Sequence, residues 1–345
     1  MAALDLGTNN CRLLVARPKG DHFDVMDAFS RTVRLGEGVE GSNRLSEPAQ
    51  RRALKALRIC AGKIRHHRVH DTRLVATEAC RRALNGAEFA ERVREETGLA
   101  LDIIAPEEEA RLAVAGCAPL VNPQAEQLLV FDIGGGSTEL VWIDMSGTPP
   151  ERRPALIRAV APTGSIETKA VRRAKARISD WISVPIGVTT LHDRFAGISD
   201  DQERFAAMSW HFEQRLSPFG PYDPDDTSPL TQKLQIIGVS GTATTFGALH
   251  LDLKSYDRSR VDGLWLLGQQ AGMVADRILA MGAVGRAAHP GIGPRRADLV
   301  VSGAAILMTI LRLWPVERMR IADRGLREGM LYGLIRARRA KQQQG

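Results

Sequence analysis

Three short segments rich in glycine and hydroxyl side chains each follow an apolar stretch of the sequence. They are Gly7-Thr8-Asn9, Gly134-Gly135-Gly136-Ser137 and Ser240-Gly241-Thr242. Glycine lacks a Cβ, so backbone N–H groups can approach phosphate oxygens closely, and Ser and Thr hydroxyls add further donors. A single turn of this kind usually only reverses the chain, but three of them predict phosphate binding. Neither a lysine-bearing P-loop pattern nor a strand-linked dinucleotide pattern occurs, so those two kinds of site have no support.

Carboxylates accompany these turns. Asp5 and Asp132 lie just before the first two turns, Glu139 just follows the second, and Glu107-Glu108-Glu109 form a run of their own. An Asp beside bound phosphate can hold Mg²⁺, and a Glu one water away from a phosphoryl group can act as a general base. Acidic residues also favour the first turn of any helix, and we assign two of the three run residues to that role. Glu139 lies on an alternating strand and could equally face solvent.

Alternating strands and helices must position these residues, so the predicted fold class is α/β. The pattern predicts a hairpin of Ala2–Leu6 with Cys11–Arg17, and a helix capped by Ser46. It also predicts a helix Glu107–Cys117 that carries the acidic run. Later in the chain we expect the following elements: strand Trp181–Val188, strand Leu234–Val239, helix Arg295–Leu313, strand Arg318–Ile321 and helix Leu326–Arg339.

The sequence contains an internal repeat. At an offset of 127 residues, Asp5 aligns with Asp132, Gly7 with Gly134, and the apolar residues on both sides of each turn also align. Such a repeat predicts two related structural units. We therefore expect a first domain at 1–120 and a second at 121–315, with a strand and helix at 316–345 that return to the first domain.

Composition limits the class of protein. The 345 residues are 44% hydrophobic and 25% charged, which is the balance of a globular protein and excludes a disordered or fibrous chain. No apolar run is long enough to span a membrane, and the N-terminus has no secretory signal, so the cytoplasm is the expected location. The net charge of +7 favours an anionic partner. The four cysteines are widely spaced and predict reduced, mostly buried thiols.

Together, these motifs resemble the exopolyphosphatase / guanosine pentaphosphate phosphatase (Ppx/GppA) family of the actin–Hsp70–sugar kinase superfamily. The matching segments are D-L-G-T-N from Asp5, A-T-E-A-C-R from Ala76, E-E-A-R-L from Glu108, D-I-G-G-G-S-T-E from Asp132, S-G-T from Ser240 and L-R-E-G from Leu326. The resemblance runs from Ala2 to about Arg336. Two departures are Ala105-Pro106, where the family usually has Ser-Gly, and Asn10, where it usually has Ser or Thr.

The resemblance implies two ribonuclease-H-like domains around a cleft, without the helical C-terminal domain of longer members. It implies hydrolytic release of terminal phosphate from polyphosphate or guanosine pentaphosphate (pppGpp). By position, Glu109 is similar to the family's catalytic Glu and Glu139 to its second essential carboxylate. Asp132 corresponds to the acid near Mg²⁺ and Arg81 to a phosphate-binding Arg.

We therefore expect a Mg²⁺-dependent phosphoanhydride hydrolase, with Mn²⁺ able to substitute. Asp132, Asp5 and Glu139 are the candidate metal ligands, and the three turns with Arg81 are the candidate phosphate ligands. We expect a homodimer and no nucleic-acid or membrane partner. Two alternatives stay open, namely a non-catalytic sensor of polyphosphate or alarmone and an ATP-dependent phosphotransferase of the same superfamily. The sensor would not need Glu109, whereas the transferase would need an acceptor-activating acid and a nucleoside pocket.

Overall fold

The structure is a computed structural model that describes residues 1–162, 169–175, 177–222, 233–294 and 296–344. Within these residues the strands are β1 (Ala2–Leu6), β2 (Asn10–Lys19), β3 (His22–Thr32), β4 (Thr72–Ala76), β5 (Asp102–Ile103), β6 (Gln127–Ile133), β7 (Thr138–Asp144), β8 (Ile178–Val184), β9 (Leu234–Val239), β10 (Trp265–Leu267) and β11 (Arg318–Ala322).

The helices of the described residues fall between these strands. They are α1 (Val39–Ser42), α2 (Glu47–His66), α3 (Glu78–Arg82), α4 (Gly86–Thr97), α5 (Pro106–Gly116), α6 (Arg153–Ala159), α7 (Lys169–Lys175), α8 (Val188–Arg194), α9 (Asp201–Glu213), α10 (Ser240–His250), α11 (Arg258–Val261), α12 (Gly268–Ala280), α13 (Gly282–Ala288), α14 (Val300–Leu313) and α15 (Leu326–Gln344). None of them is long and apolar enough to cross a membrane.

The chain divides into two units. The first comprises Met1–Ala118, Ala155–Ala176 and Gly325–Gly345, and contains a five-stranded sheet in the order β3-β2-β1-β4-β5. In this sheet β1, β2 and β3 pair antiparallel, whereas β1, β4 and β5 pair parallel. Helices α2 and α4 pack with the sheet in one apolar cluster, and α5 and α15 share a second one.

The second unit comprises Pro119–Pro154 and Arg177–Arg324, and contains a six-stranded sheet in the order β10-β11-β9-β6-β7-β8. Strands β6, β7 and β8 pair antiparallel, and β6, β9 and β11 pair parallel. The run β8-β7-β6-β9-β11 therefore has the same pairing pattern as β3-β2-β1-β4-β5 in the first unit. This shared pattern confirms the repeat between residues 5–14 and 132–141.

Local sequence signals explain several element boundaries. Ser46 begins α2, since its hydroxyl accepts a hydrogen bond from the N–H of Ala49 (3.4 Å) and Pro48 lies in the first turn. Pro106 occupies the first position of α5, where its missing N–H costs no hydrogen bond. Gly98 ends α4 with a φ of 75°, which is a left-handed conformation that suits glycine.

Two predicted boundaries are wrong. Strand Trp181–Val188 ends earlier, at Val184, because Gly187 and Thr190 form the N-terminal cap that begins α8. Helix Arg295–Leu313 begins only at Val300, because Gly293 has a φ of 73° and residues 296–299 form turns. Arg295 itself lies outside the described residues.

The unit boundaries also differ from the predicted domains 1–120, 121–315 and 316–345. Strand β11 belongs to the second unit, because it pairs in parallel with β9 and leaves only α15 to join the first unit. Residues 155–176 belong to the first unit, because α6 leads to Ala161, which is buried beside Leu331 of α15. A repeat in the sequence locates the two sheets but carries no information about such exchanged segments.

The four cysteines are free and buried, as the sequence predicts. The sulfur atoms of Cys11 and Cys60 are 3.9 Å apart in the apolar core of the first unit. The hydrogen bond with the Cys60 thiol, together with burial in this core, raises the pKa of the Cys11 thiol.

Candidate active site

The parallel strands of the first unit bring three predicted segments to one edge of its sheet. Strand β1 pairs with β4, and β4 pairs with β5, so their carboxyl ends are neighbours. Gly7–Asn9 follows β1, Thr77–Arg81 follows β4 and Ala105–Glu109 follows β5. The carboxyl edge of a parallel sheet is where α/β proteins bind ligands.

The first turn is held by its own backbone. The N–H of Gly7 donates to the carbonyl of Asn10 (2.9 Å), and the carbonyl of Asn9 accepts from Val33 and Arg34 (2.8 and 3.0 Å). The Asn10 side chain, one of the departures from the family pattern, accepts a hydrogen bond from Thr32 (3.2 Å). Asn10 therefore ties the end of the turn to β3 and does not disturb the hairpin.

Arg81 and two glutamates form a compact, mostly buried network. The guanidinium of Arg81 donates to Oε2 of Glu109 through both terminal nitrogens (3.1 and 3.2 Å) and to Oε2 of Glu78 through Nε and one terminal nitrogen (3.1 and 2.7 Å). A fifth hydrogen bond goes to the carbonyl of Ile104 (2.6 Å). An arginine has five N–H donors, and here protein acceptors engage all of them.

The guanidinium of Arg81 remains positively charged in this network. Burial by itself would lower the pKa of this guanidinium, but the attraction of Glu109 and the hydrogen bond to Glu78 outweigh burial and raise the pKa. The side chains of Arg81 and Glu109 are 18% and 14% exposed, so solvent screens their attraction only weakly. Arg81 therefore fixes the Glu109 carboxylate in one orientation at the sheet edge.

The structure separates Glu109 from its two acidic neighbours. Glu108 pairs with Arg73 (2.6 Å) and Glu107 with Lys175 (3.1 Å), and neither contact involves the glycine turns. This agrees with the assignment of two of the three acids to a structural role. Glu109 is the member of the run that accepts hydrogen bonds from Arg81.

Asp5 lies on β1 directly before the first turn, with Arg12 opposite it on β2. Burial raises the pKa of its carboxyl, and the positive charges of Arg12 and Arg327 oppose this shift without cancelling it. An acid held among cations in this way is a weaker candidate for a metal ligand than one beside another acid.

Helix α15 packs behind the helix that carries Glu109. A Cβ on Gly329 would lie 2.0 Å from the carbonyl oxygen of Leu112, so only glycine permits this close approach of α15 to α5. Glu328 caps α15 by accepting a hydrogen bond from the N–H of Gly325 (2.9 Å). The L-R-E-G motif is thus a packing motif that supports α5.

In the second unit, Asp132 and Glu139 are direct cross-strand partners on β6 and β7. Opposite residues of an antiparallel pair project from the same face with their Cβ atoms about 5 Å apart. Glu139 is 3% exposed and accepts a hydrogen bond from the hydroxyl of Ser183 on β8 (2.9 Å). Glu139 is therefore buried rather than solvent-facing, which resolves the alternative that the sequence left open.

The same repeat position is occupied differently in the two units. Asp5 faces Arg12, whereas Asp132 faces Glu139. Two carboxylates on one face suit a divalent cation, because Mg²⁺ is usually bound by one or two carboxylates, waters and substrate phosphates. The donor set of Asp132 and Glu139 therefore fits Mg²⁺. Among the described residues no group of three or more His, Cys, Asp or Glu side chains could hold a metal ion.

The third glycine segment begins α10 at the end of β9, next to the end of β6. Ser240 has a φ of 91°, a conformation that costs a non-glycine residue free energy and is concentrated at functional sites. Its hydroxyl accepts a hydrogen bond from the N–H of Thr242 (3.3 Å). The start of an eleven-residue helix beside Asp132 offers N–H groups to an anion.

Three residues contribute to the site although no role for them was predicted from the sequence. Glu78 lies inside a matched motif but was given no role, Ser183 holds Glu139, and Gly187 contacts the turn at Gly134–Ser137. A Cβ on Gly187 would lie 2.5 Å from the carbonyl oxygen of Gly134. The available signal was Gly187 near the end of the predicted strand Trp181–Val188, followed by Val-Thr-Thr.

Comparison with known proteins identifies the family. The model of the Ppx/GppA phosphatase family matches residues 14–337. The crystal structure of a Ppx/GppA family member from Aquifex aeolicus is 27% identical, with 98% of this chain and 97% of that chain covered and a TM-score of 0.74. An exopolyphosphatase-like protein is 28% identical, with 98% and 99% covered and a TM-score of 0.79.

A third solved structure, an exopolyphosphatase from Cytophaga hutchinsonii, shares the fold. It is 23% identical to this chain, with 97% of each chain covered and a TM-score of 0.80. These matches extend over nearly the whole of both chains. They confirm the α/β fold with two related structural units that the sequence predicts.

Proposed function

Because this chain belongs to the Ppx/GppA phosphatase family, we propose that it hydrolyses the terminal phosphoanhydride bond of inorganic polyphosphate, with pppGpp as a further substrate of the same bond type. The observation that supports this most strongly is the Arg81–Glu109 contact at the carboxyl edge of the first sheet. It presents one oriented carboxylate at the sheet edge that also carries a glycine turn, and an oriented carboxylate is what water activation at a phosphoryl group requires.

The reaction assigns a distinct role to each group. The carboxylate of Glu109 accepts a proton from water as the water oxygen bonds to the terminal phosphorus. The anhydride bond to the next phosphate breaks, and the shortened chain leaves with the bonding electron pair. Arg81 acts as a positioning residue, because its donors hold Glu109 and Glu78 in the described structure.

The glycine turns supply the phosphate contacts. We assign backbone and hydroxyl donors of Gly7, Thr8 and Asn9 in the first unit to phosphate oxygens. The equivalent donors in the second unit are Gly134, Gly135, Gly136, Ser137, Ser240, Gly241 and Thr242. Backbone N–H groups that are fixed before the substrate binds donate to phosphate oxygens without reorganisation.

Asp132 and Glu139 are the residues that would hold Mg²⁺, and Asp5 is the weaker candidate because it lies beside Arg12 and Arg327. Bound Mg²⁺ would neutralise phosphate charge. Ser183 keeps one oxygen of Glu139 engaged, which limits the orientations of that carboxylate.

A panel of substrates tests the proposal. Orthophosphate release is measured from polyphosphates of several lengths, from pppGpp, and from ATP with and without acceptor alcohols, each with Mg²⁺. The proposal predicts release from polyphosphate in water without an acceptor, and one ¹⁸O atom in each released orthophosphate when the solvent is H₂¹⁸O. Binding of polyphosphate without release would support the sensor, and transfer to an acceptor would support the phosphotransferase.

We also propose a cytoplasmic homodimer without nucleic-acid or membrane partners. The net charge of +7 is compatible with a polyanionic substrate. Light scattering of the purified chain tests the assembly, and a monomer at micromolar concentration would contradict it.

A further inference from the structure

The N-terminal residues of α8 hold the glycine turn between β6 and β7. The N–H of Val188 donates to the carbonyl of Gly134 (3.0 Å), and the N–H of Thr189 donates to the carbonyl of Gly135 (2.8 Å). Gly187 lies against the same two residues, since a Cβ there would be 2.5 Å from the oxygen of Gly134 and from the carbonyl carbon of Gly135. Two successive carbonyls of the turn therefore point at α8.

Peptide geometry fixes the direction of the next two N–H groups. In a trans peptide the C=O of one residue and the N–H of the following residue point in opposite directions, and the described residues contain no cis peptide. The N–H groups of Gly135 and Gly136 therefore point away from α8. Among the described residues, neither of them donates to a backbone carbonyl. Two successive N–H groups on one side of a turn form an anion-binding concavity.

Glycine alone does not produce this arrangement. A run of three glycines has wide access to backbone conformations, and rotating one peptide plane would present a carbonyl oxygen in place of an N–H. A carbonyl oxygen repels a phosphate oxygen. The hydrogen bonds from Val188 and Thr189 are what hold both peptide planes in the anion-binding orientation.

The segment that provides these bonds is itself anchored at both ends. The hydroxyl of Thr138 donates to the carbonyl of Ile186 (2.7 Å), and the hydroxyl of Thr190 accepts from the N–H of Gly187 (2.7 Å). The segment 186–190 is thus tied to β7 on one side and to its own helix on the other. It is a fixed support for the turn.

We propose that Gly187–Thr189 is a positioning segment that sets the peptide orientation of Gly134–Gly136 for phosphate binding. This inference rests on the proposed function, because the anion in question is a phosphate group of the substrate. Without the hydrogen bonds from Val188 and Thr189, only a fraction of the molecules would present both N–H groups. The apparent affinity for phosphate would fall in proportion to that fraction. The effect therefore appears in KM, while kcat changes little.

Val188→Pro is the most selective test. Val188 is the first residue of α8, a position at which proline fits the helix, and Gly187 has the extended conformation that a residue before proline adopts (φ −130°, ψ −171°). The substitution removes the N–H that donates to Gly134 and leaves the helix intact. Val188→Ala loses side-chain packing but keeps the N–H, so the ratio between the two variants isolates the hydrogen bond.

Gly187→Ala provides a second perturbation, in which the added Cβ displaces the turn. Gly197→Ala is its matched control, because a Cβ on Gly197 would meet no atom within 4 Å. Each variant is assayed for KM and kcat with polyphosphate, for melting temperature, and for the dissociation constant of pyrophosphate by calorimetry with Mg²⁺ present.

The proposal predicts that Val188→Pro has a KM about 10- to 100-fold above that of Val188→Ala, as expected for loss of one hydrogen bond to a charged group. It also predicts a kcat within about threefold and similar melting temperatures. Equal KM values for the two variants, or a loss of kcat alone, would overturn it. If wild type bound pyrophosphate but released nothing from polyphosphate, the proposed function would fail. The dissociation constants of pyrophosphate for the variants would still show whether Gly187–Thr189 positions the turn. A wild type that binds no pyrophosphate would overturn the positioning role as well.

Discussion

Arg81→Lys tests whether Arg81 acts through Glu109 or directly on the substrate. Lysine keeps the positive charge but replaces a planar fork of five donors with three donors on a flexible stem. It cannot reproduce the two hydrogen bonds to Oε2 of Glu109 together with the contacts to Glu78 and Ile104. Glu109 would then sample several orientations at the sheet edge.

The size of the expected effect of Arg81→Lys on kcat follows from those contacts. A hydrogen bond to a charged group contributes about 1.5–3 kcal/mol, and both partners are less than one-fifth exposed, so little of this is lost to solvent screening. Loss of one such bond should lower kcat by about 10- to 100-fold. KM should change by less than about threefold, because a misoriented base weakens the transition state without removing a substrate contact.

The assay is a double-mutant cycle on orthophosphate release with Arg81→Lys, Glu109→Gln and the combined variant. If Arg81 acts through Glu109, the lysine substitution should have little further effect once residue 109 can no longer accept a proton. Independent effects that multiply, with KM raised about tenfold in both backgrounds, would refute this reasoning. Such a result would assign Arg81 to the phosphate, as the family resemblance implies.

The remaining predictions concern the metal, a buried acid and the packing of α15. EDTA should abolish orthophosphate release, and Mg²⁺ or Mn²⁺ should restore it. Asp132→Asn should raise the Mg²⁺ concentration for half-maximal activity more than about tenfold. Full activity in chelator would refute the requirement for a metal ion. Asp5→Asn should raise the melting temperature at neutral pH, because burial raises the pKa of Asp5 and its ionised form therefore destabilises the folded state. That gain should shrink as pH falls through the raised pKa, and an unchanged melting temperature at neutral pH would contradict it. Gly329→Ala should lower the free energy of unfolding by about 1–3 kcal/mol or more, because its Cβ would meet the carbonyl of Leu112. As a control, Gly272→Ala should be neutral or slightly stabilising, because a Cβ on Gly272 would lie in open space. Equal melting temperatures for the two variants would count against close packing of α15 on α5.

The sequence predicted those parts of the fold that depend on local pattern. The hairpin after Ala2, the cap at Ser46 and the internal repeat follow from periodicity and turn chemistry, and the structure confirms them. Helix α15 joins the first unit, as the sequence predicts, but the membership of residues 155–176 in that unit could not be predicted, because it depends on tertiary packing alone.

In the candidate site, too, local motifs could be predicted from the sequence and tertiary contacts could not. Glycine turns and acids at strand ends are visible as motifs, whereas the partner of each acid depends on strands and helices that are distant in the sequence. Arg81 and Glu109 are 28 residues apart, and Ser183 and Glu139 are 44 apart, so neither pair had a sequence signal. The distinction between Asp5 beside Arg12 and Asp132 beside Glu139 follows from strand register, which a strand assignment alone does not provide.

The most direct test of the account compares wild type with Glu109→Gln in orthophosphate release from polyphosphate, with polyphosphate binding measured on the same preparations. Glutamine keeps the size and much of the hydrogen bonding of Glu109 but cannot take a proton from water. We expect wild type to release orthophosphate, the variant to release it about 10²–10⁴-fold more slowly, and both proteins to bind polyphosphate. No release by wild type, or an equal rate in the two proteins, would contradict it.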